Sequence, residues 1–178
     1  MCAIEYYDYE DYKQWDGKWE LIYGMPMAMS PSPMISHQAI AYEIAFELKS
    51  NIKECPNCLI LGEEDWKISN DTVVRPDVVL ICDEPSQEYI TKAPIIIAEV
   101  VSKSTAKRDE KTKYELYEKE GVLYYCIVYP DDLKAKIFKL IDGKYKKIGD
   151  FSKETFLFED IECPTSIDFK NVFEKFRK

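Results

Sequence analysis

The sequence lacks any apolar run near the roughly 20 residues that a membrane-spanning helix needs. Its first residues also lack the basic and then apolar pattern of a secretory leader. We therefore expect a cytoplasmic protein with no membrane-inserted part. Glycine is scarce as well, with 6 among 178 residues and no glycine-rich loop of the kind that cradles phosphate groups. A small-molecule phosphate-binding protein is therefore disfavoured.

Ligands for soft metal ions are few. Histidine occurs once, and the place of His37 at the start of a predicted helix is more typical of a capping or packing residue than of a catalytic base. Cys55 and Cys58 form a lone C-x-x-C, whereas a structural zinc site needs two further ligands at fitting spacing. We interpret them as ordinary thiols at a corner between a helix and a strand, with zinc or redox chemistry as the alternative. Cys82 and Cys126 lie in apolar strands and are predicted to be inert core residues.

Positive charge is in deficit, because 24 lysines and arginines face 33 acidic residues and give a net charge of −9. This balance disfavours tight nonspecific binding to DNA, which depends on basic side chains that contact phosphates. It does not exclude a nuclease, since the carboxylates of such a site add negative charge that a metal ion would offset. Two local groups of basic residues, in 103–113 and 134–147, are interpreted as solvated surface.

The pattern of apolar residues predicts a single domain over 1–178, in which α/β and α+β features combine around a mixed sheet. A helix capped by Ser36 is expected to run to about residue 52. A strand at 94–101, a helix at 105–120 and a strand at 122–129 predict a parallel β-α-β unit. Asp142-Gly143 predicts a hairpin, and a short helix is expected from Ser166.

Two carboxylates interrupt apolar strands. Asp77 lies in a predicted strand at 73–81 and Glu99 in the strand at 94–101, and both strands are apolar on both faces, as buried central strands are. Buried carboxylates are normally paired or bound to metal, because an isolated charge there costs several kcal/mol. The backbone carbonyl of Val100 could complete the shell of a Mg²⁺ ion. Lys113, on the helix that follows, could orient the attacking water and offset charge on a phosphate.

The order and spacing of these residues resemble the Uma-two family of the PD-(D/E)XK nuclease superfamily. The segments that carry the resemblance are Pro76-Asp77, Glu99-Val100-Val101-Ser102, and Asp109, Lys113 and Tyr117 followed by Gly121-Val122. Trp19-Glu20-Leu21-Ile22-Tyr23-Gly24 is similar to the N-terminal glutamate motif of that family. Ser30-Pro31-Ser32-Pro33, followed by Ser36-His37-Gln38, is similar to its next element.

The resemblance implies a restriction-endonuclease-like mixed β-sheet core flanked by helices. It implies that Asp77 and Glu99 are metal ligands and that Glu20 contributes from an adjacent element. Mg²⁺ or Mn²⁺ would be the cofactor, DNA the substrate, and a homodimer the active assembly. In the wider superfamily the catalytic lysine lies two residues after the second acid, where this chain has Val101. The resemblance implies that Lys113 supplies the ammonium group instead.

Several alternatives stay open. Lys113 and Asp109 are four residues apart and could form a simple surface pair, and Lys103 is a weaker candidate for the catalytic lysine. Cys126 and Tyr129 replace a tryptophan and an aspartate of the family, which affects packing or substrate shape more than the acid–lysine set. The whole chain could also be a catalytically inactive nuclease-fold domain that binds or regulates.

Overall fold

The computed structural model describes residues 5–29, 34–52, 54–102 and 108–177. These described residues contain twelve strands, four α-helices and one π-helix. In chain order the elements are α1 (Tyr9–Tyr12), β1 (Trp19–Ile22), β2 (Met25–Ala28), α2 (Ile35–Asn51), β3 (Cys58–Leu61), β4 (Trp66–Ser69), β5 (Thr72–Val74), β6 (Val78–Cys82), β7 (Ile96–Val100), the π-helix (Arg108–Lys113), α3 (Tyr114–Glu120), β8 (Tyr124–Tyr129), β9 (Lys134–Ile141), β10 (Lys144–Phe151), β11 (Thr155–Phe158), β12 (Thr165–Asp168) and α4 (Phe169–Glu174).

The main sheet has six strands in the order β10-β9-β8-β7-β6-β3. Strands β7 and β8 pair in parallel, and the π-helix and α3 lie between them in sequence, so the predicted β-α-β unit is confirmed. The predicted helix at 105–120 is confirmed from Arg108 onward, although Arg108–Lys113 is π-helical and only Tyr114–Glu120 is α-helical. Its predicted cap at Ser104 or Thr105 lies outside the described residues. Gly121 ends α3 in the left-handed conformation, as a helix C-terminus favours.

A smaller antiparallel sheet has the order β2-β1-β5-β4. The predicted single strand at 73–81 is therefore wrong, because its two halves belong to different sheets. β5 lies in the small sheet, β6 lies in the main sheet, and 75–77 cross between them. Pro76 explains the break, since proline has no backbone N–H to donate and restricts the residue before it. Asp77 therefore lies immediately before the first residue of β6.

The central strands are covered on both faces, as predicted, and every residue of β6 and β7 is buried. Leu80 and Ala98 face a core that includes Ile44 of α2 together with residues of α4, β11 and β12. Val79 and Ile97 face a second core, which includes residues of the small sheet and α3. Odd-numbered residues of β6 and β7 therefore point toward the small sheet, and Glu99 is among them.

Helix α2 begins at Ile35 and its cap position is Met34, so the prediction that Ser36 caps this helix is wrong. The helix contacts β3, β6, β7 and the C-terminal elements. Its buried Glu47 accepts hydrogen bonds from the Asp168 backbone at 3.0 Å and from the Asn171 amide at 3.0 Å. Within the described ranges, no helix combines the length and apolar character needed to cross a membrane.

The C-terminal prediction is wrong at Ser166, which lies in β12 rather than in a helix. Helix α4 starts after Asp168, whose side chain accepts a hydrogen bond from the Lys170 backbone at 2.9 Å. The sequence signal at Asp142-Gly143 is confirmed, because these residues connect β9 and β10 in an antiparallel hairpin with both residues at positive φ.

The cysteines differ from expectation. Cys55 is joined to Cys163, and Cys58 to Cys82, by disulfide bonds. The predictions of two ordinary thiols at 55 and 58 and of an inert Cys82 are therefore wrong for this structure. Cys58 and Cys82 are register partners on β3 and β6, a relation that only the folded sheet reveals. Cys126 is a free, buried thiol, as predicted.

Candidate active site

Glu20, Glu99 and Lys113 meet between the two sheets. Glu20 comes from β1, Glu99 from β7 and Lys113 from the end of the π-helix. The Nζ atom of Lys113 lies 2.7 Å from Oε1 of Glu20 and 2.9 Å from Oε1 of Glu99. All three residues are buried: Glu20 is 0% exposed, Glu99 3% and Lys113 1%. Lys113 is therefore a buried cation held by two carboxylates from different sheets.

Two further residues on the same helical segment extend this cluster. Asp109 Oδ1 lies 3.8 Å from Lys113 Nζ, and the Tyr117 hydroxyl donates to Oε1 of Glu99 at 2.7 Å. The spacing of four residues from Asp109 to Lys113 to Tyr117 keeps all three side chains on one side of the helix. The alternative of a surface pair between Asp109 and Lys113 is wrong, because both residues are buried.

Glu20 has a backbone partner that sequence reasoning missed. The N–H of Arg75, the first residue after β5, donates to Oε1 of Glu20 at 2.9 Å. The Arg75 side chain in turn pairs with Asp65 at 2.7 Å. The break in the strand at Pro76 frees this N–H from sheet pairing, so the contact depends on a chain path that the apolar pattern did not predict.

Asp77 lies beside Glu99 at the end of the main sheet. Val78 pairs with Ala98 in the antiparallel register, so one step further places Asp77 opposite Glu99, where side chains share a face. The backbone N–H of Val100 donates to Oδ2 of Asp77 at 2.7 Å. The amide of Val100 is therefore hydrogen-bonded to Asp77. A role for the Val100 carbonyl as a metal ligand stays a prediction.

His37 is the second partner of Asp77. Its Nε2 lies 3.2 Å from Oδ2 of Asp77, although the sequence favoured a capping or packing role for the ring. Burial disfavours the charged imidazolium, but the hydrogen bond and charge of Asp77 outweigh it and raise the pKa of His37. The resemblance of Ser36-His37-Gln38 to a family element was the available signal, but the sequence did not show which acid the ring would meet.

The cluster carries more negative than positive charge. Burial raises the pKa of Glu99 well above its usual value, Lys113 opposes that rise, and Asp77, Asp109 and Glu20 add to it. Burial also disfavours the Lys113 ammonium, but Glu20, Glu99 and Asp109 outweigh it and raise the pKa of Lys113. An added cation would lower the cost of ionising Glu99. Carboxylate oxygens are the ligands that Mg²⁺ and Mn²⁺ prefer, so the donors present fit such an ion.

Lys103, the weaker lysine candidate, and Ser30-Pro31-Ser32-Pro33, which resembles a family element, lie outside the described residues. Cys126 and Tyr129, which replace family residues on the next strand, are both in β8. Cys126 faces the core that includes α2, on the opposite side of the sheet from Glu99. Residue 126 therefore belongs to that core, whereas Tyr129 packs against the second core, on the side of Glu99.

Comparison with known proteins adds two findings. The family model Uma2, described as "Putative restriction endonuclease", matches residues 5–161. A solved structure of "a putative nuclease belonging to DUF820" from Anabaena variabilis is similar to this chain with a TM-score of 0.73 and 17% identity. The similarity covers 94% of this chain and 98% of that one, and at this identity it speaks for the fold alone. No curated protein is detectably similar in sequence.

Proposed function

Because the chain belongs to the Uma2 family of restriction-endonuclease-like proteins, we propose that it is a metal-dependent endonuclease that hydrolyses phosphodiester bonds of DNA. The observation that carries the proposal is the convergence of Glu20, Glu99 and Lys113 beside Asp77, from two sheets and a π-helix. π-Helical turns are rare and occur frequently at functional sites. A cluster of acids and one lysine inside a restriction-endonuclease-like fold fits phosphoryl chemistry.

In this proposal Asp77 and Glu99 hold one Mg²⁺ or Mn²⁺ ion, and Glu20 and the Val100 carbonyl contribute to the same site. When bound, the ion supplies charge stabilisation at the phosphate and a water of lowered pKa. His37 and the Val100 amide orient Asp77, because both contact its Oδ2 atom. Loss of a partner that orients a metal ligand in this way typically costs about ten- to a hundredfold in metal affinity or activity.

Lys113 has a separate role in the proposal. Its ammonium is kept charged by the surrounding carboxylates, so it can donate a hydrogen bond toward the phosphate or the attacking water. Tyr117 fixes the Glu99 carboxylate through its hydroxyl. Val101, two residues beyond Glu99, has no charged group. Lys113, on the helical segment after β7, supplies the ammonium group of the site instead.

One specific observation favours a second candidate function. Lys113 is nearly inaccessible and is hydrogen-bonded to both Glu20 and Glu99, which is the arrangement of a neutralised structural cluster. Such a cluster would suit a catalytically inactive nuclease-fold domain that binds a partner or regulates. The net charge of −9 also limits the affinity for DNA.

The experiment that separates the two is a cleavage assay on supercoiled plasmid at low ionic strength, where the few basic contacts to DNA are strongest. Mg²⁺ or Mn²⁺ should support cleavage, while Ca²⁺ should support binding only, because it is larger and coordinates more loosely. Binding of Mn²⁺ without cleavage of any DNA would favour the inactive module instead.

A homodimer is proposed as the cutting unit, since cleavage of both strands by a protein with one site per chain needs two copies. Sedimentation equilibrium at micromolar concentration should give twice the chain mass of 20.9 kDa. Addition of a short DNA duplex should leave that stoichiometry at two chains per duplex. A monomer both with and without DNA would contradict the dimer and would limit the enzyme to nicking one strand.

A further inference from the structure

Four cysteines meet at the opposite end of β6 from Asp77. The Sγ atoms of Cys55, Cys58 and Cys163 all lie within 4.8 Å of one another, and those of Cys58 and Cys163 are 3.3 Å apart. Cys82, the last residue of β6, is bonded to Cys58. Three of the four sulfur atoms, from residues separated by as many as 108 positions, therefore lie within 4.8 Å of one another, and the fourth is joined to them through its bond to Cys58.

Local structure brings these sulfurs together. The Cys58 backbone N–H donates to the Cys55 carbonyl at 3.2 Å, which closes a tight turn between α2 and β3. Cys82 lies opposite Cys58 in the sheet register. Cys163 precedes β12 and is 3% exposed. The cluster therefore links the edge of the main sheet to the C-terminal hairpin.

We propose that in the reduced chain these four thiols form a structural zinc site with four cysteine ligands. The two disulfides and the zinc-bound form are then alternative states of the same four sulfur atoms, and an external thiol or phosphine reductant, oxidised once for each disulfide that it converts to two thiols, must act before zinc binds. Zinc binding involves no oxidation or reduction: four thiols lose four protons, and the four thiolates bind one Zn²⁺. The site lies across the sheet and at the other strand end from the acidic cluster, so it is independent of the proposed cleavage chemistry.

The geometry fits this ion. Tetrahedral zinc has Zn–S bonds of about 2.3 Å, which places neighbouring sulfurs about 3.8 Å apart. The observed separation of 3.3 Å between the sulfurs of Cys58 and Cys163 is close to that value, and the two bonded pairs would move apart once their disulfides are reduced. Cys55 and Cys58 also have the two-residue spacing typical of structural zinc ligands. The structure supplies from Cys82 and Cys163 the two ligands that the lone C-x-x-C lacked.

The convergence itself favours a metal over two independent crosslinks. Each disulfide would join its own two segments equally well if the pairs were far apart, whereas here Cys58 of one disulfide lies within 4.8 Å of both sulfurs of the other, as ligands of a single ion must. Thiolate ligands select zinc over Mg²⁺ or Ca²⁺. Lys92 adds a positive charge beside the anionic cluster, because its Nζ donates to the backbone carbonyls of Cys82 and Asp83 at 3.3 and 3.2 Å.

The test is the zinc content of full-length protein purified under a phosphine reductant, measured by mass spectrometry of the metal. One zinc per chain is expected, and Cys163→Ser and Cys58→Ser should lose it. Cys126→Ser, which changes a buried thiol outside the cluster, should retain it. Asp77→Asn should also retain it, so a failure here is distinct from a failure of the proposed nuclease site. Cobalt substitution should give the intense near-ultraviolet absorption of thiolate-bound cobalt.

A second measurement uses only the wild type, so the proposal can be tested even if the cysteine variants fail to fold. With zinc bound, the four cluster thiols should resist a thiol reagent, and a chelator should expose four more reactive thiols and lower the melting temperature. Reduced protein that binds no zinc on titration at neutral pH would overturn the proposal. So would zinc that remains stoichiometric in folded Cys163→Ser, or two disulfides that persist in protein purified under the reductant.

Discussion

Asp77→Asn is expected to lower the rate of DNA cleavage by at least about a hundredfold, because even the partners of metal ligands commonly contribute ten- to a hundredfold to affinity or activity. The amide oxygen of the new side chain can still accept the Val100 N–H, so the fold should be retained. The measurement is the initial rate of plasmid relaxation and linearisation in Mn²⁺, together with the Mn²⁺ affinity from calorimetry.

A matched control lies at the other end of the same strand. Asp83 directly follows β6, is exposed and has positive φ, which asparagine tolerates well. Asp83→Asn removes one carboxylate without touching the acidic cluster, and it should cleave like the wild type. Equal activity in Asp77→Asn and wild type would show that the cleavage comes from a contaminant or from another site.

Lys113→Met is expected to abolish cleavage and also to destabilise the protein by about 3–5 kcal/mol, because it leaves buried carboxylates without their shared cation. For a chain of this length that loss corresponds to a fall in melting temperature of roughly 6–20 °C. Urea unfolding followed by circular dichroism measures it. Lys111→Met provides the control, since Lys111 is exposed on the same helical segment and its loss should change stability by less than about 0.5 kcal/mol.

A double variant identifies the cause of the loss. If uncompensated charge destabilises Lys113→Met, then adding Glu20→Gln should recover about 1–3 kcal/mol, the range of coupling expected for residues in contact. The glutamine oxygen can still accept the Arg75 N–H. Additive losses in the two variants would contradict the ion cluster. Retained cleavage in a destabilised Lys113→Met would make Lys113 a structural residue alone.

The sequence predicted the parts of the fold that depend on local pattern. The Asp142-Gly143 turn, the end of α3 at Gly121 and the parallel pairing of β7 with β8 are all confirmed, because turn residues and apolar periodicity act over short distances. The division of 73–81 between two sheets was missed. Both halves are apolar, and only the missing donor at Pro76 distinguishes two strands from one.

The residues of the candidate site could be named from sequence, but their contacts could not. Spacing and the family resemblance singled out Glu20, Glu99 and Lys113, and the fold brings these together. The bond from His37 to Asp77 depends on the packing of α2 against the end of the sheet, which no local pattern encodes. The cysteine cluster was missed for the same reason, because Cys58 and Cys82 become neighbours only through the register of β3 and β6.

The most direct test of the central claim, that the buried acids bind a divalent metal, is a crystal structure with Mn²⁺ and an anomalous difference map. The proposal predicts one strong peak with Asp77 and Glu99 among its ligands and a Lys113 ammonium that no longer bridges Glu20 and Glu99. The contradicting result is a map with no peak there at saturating Mn²⁺, while Lys113 still bridges Glu20 and Glu99.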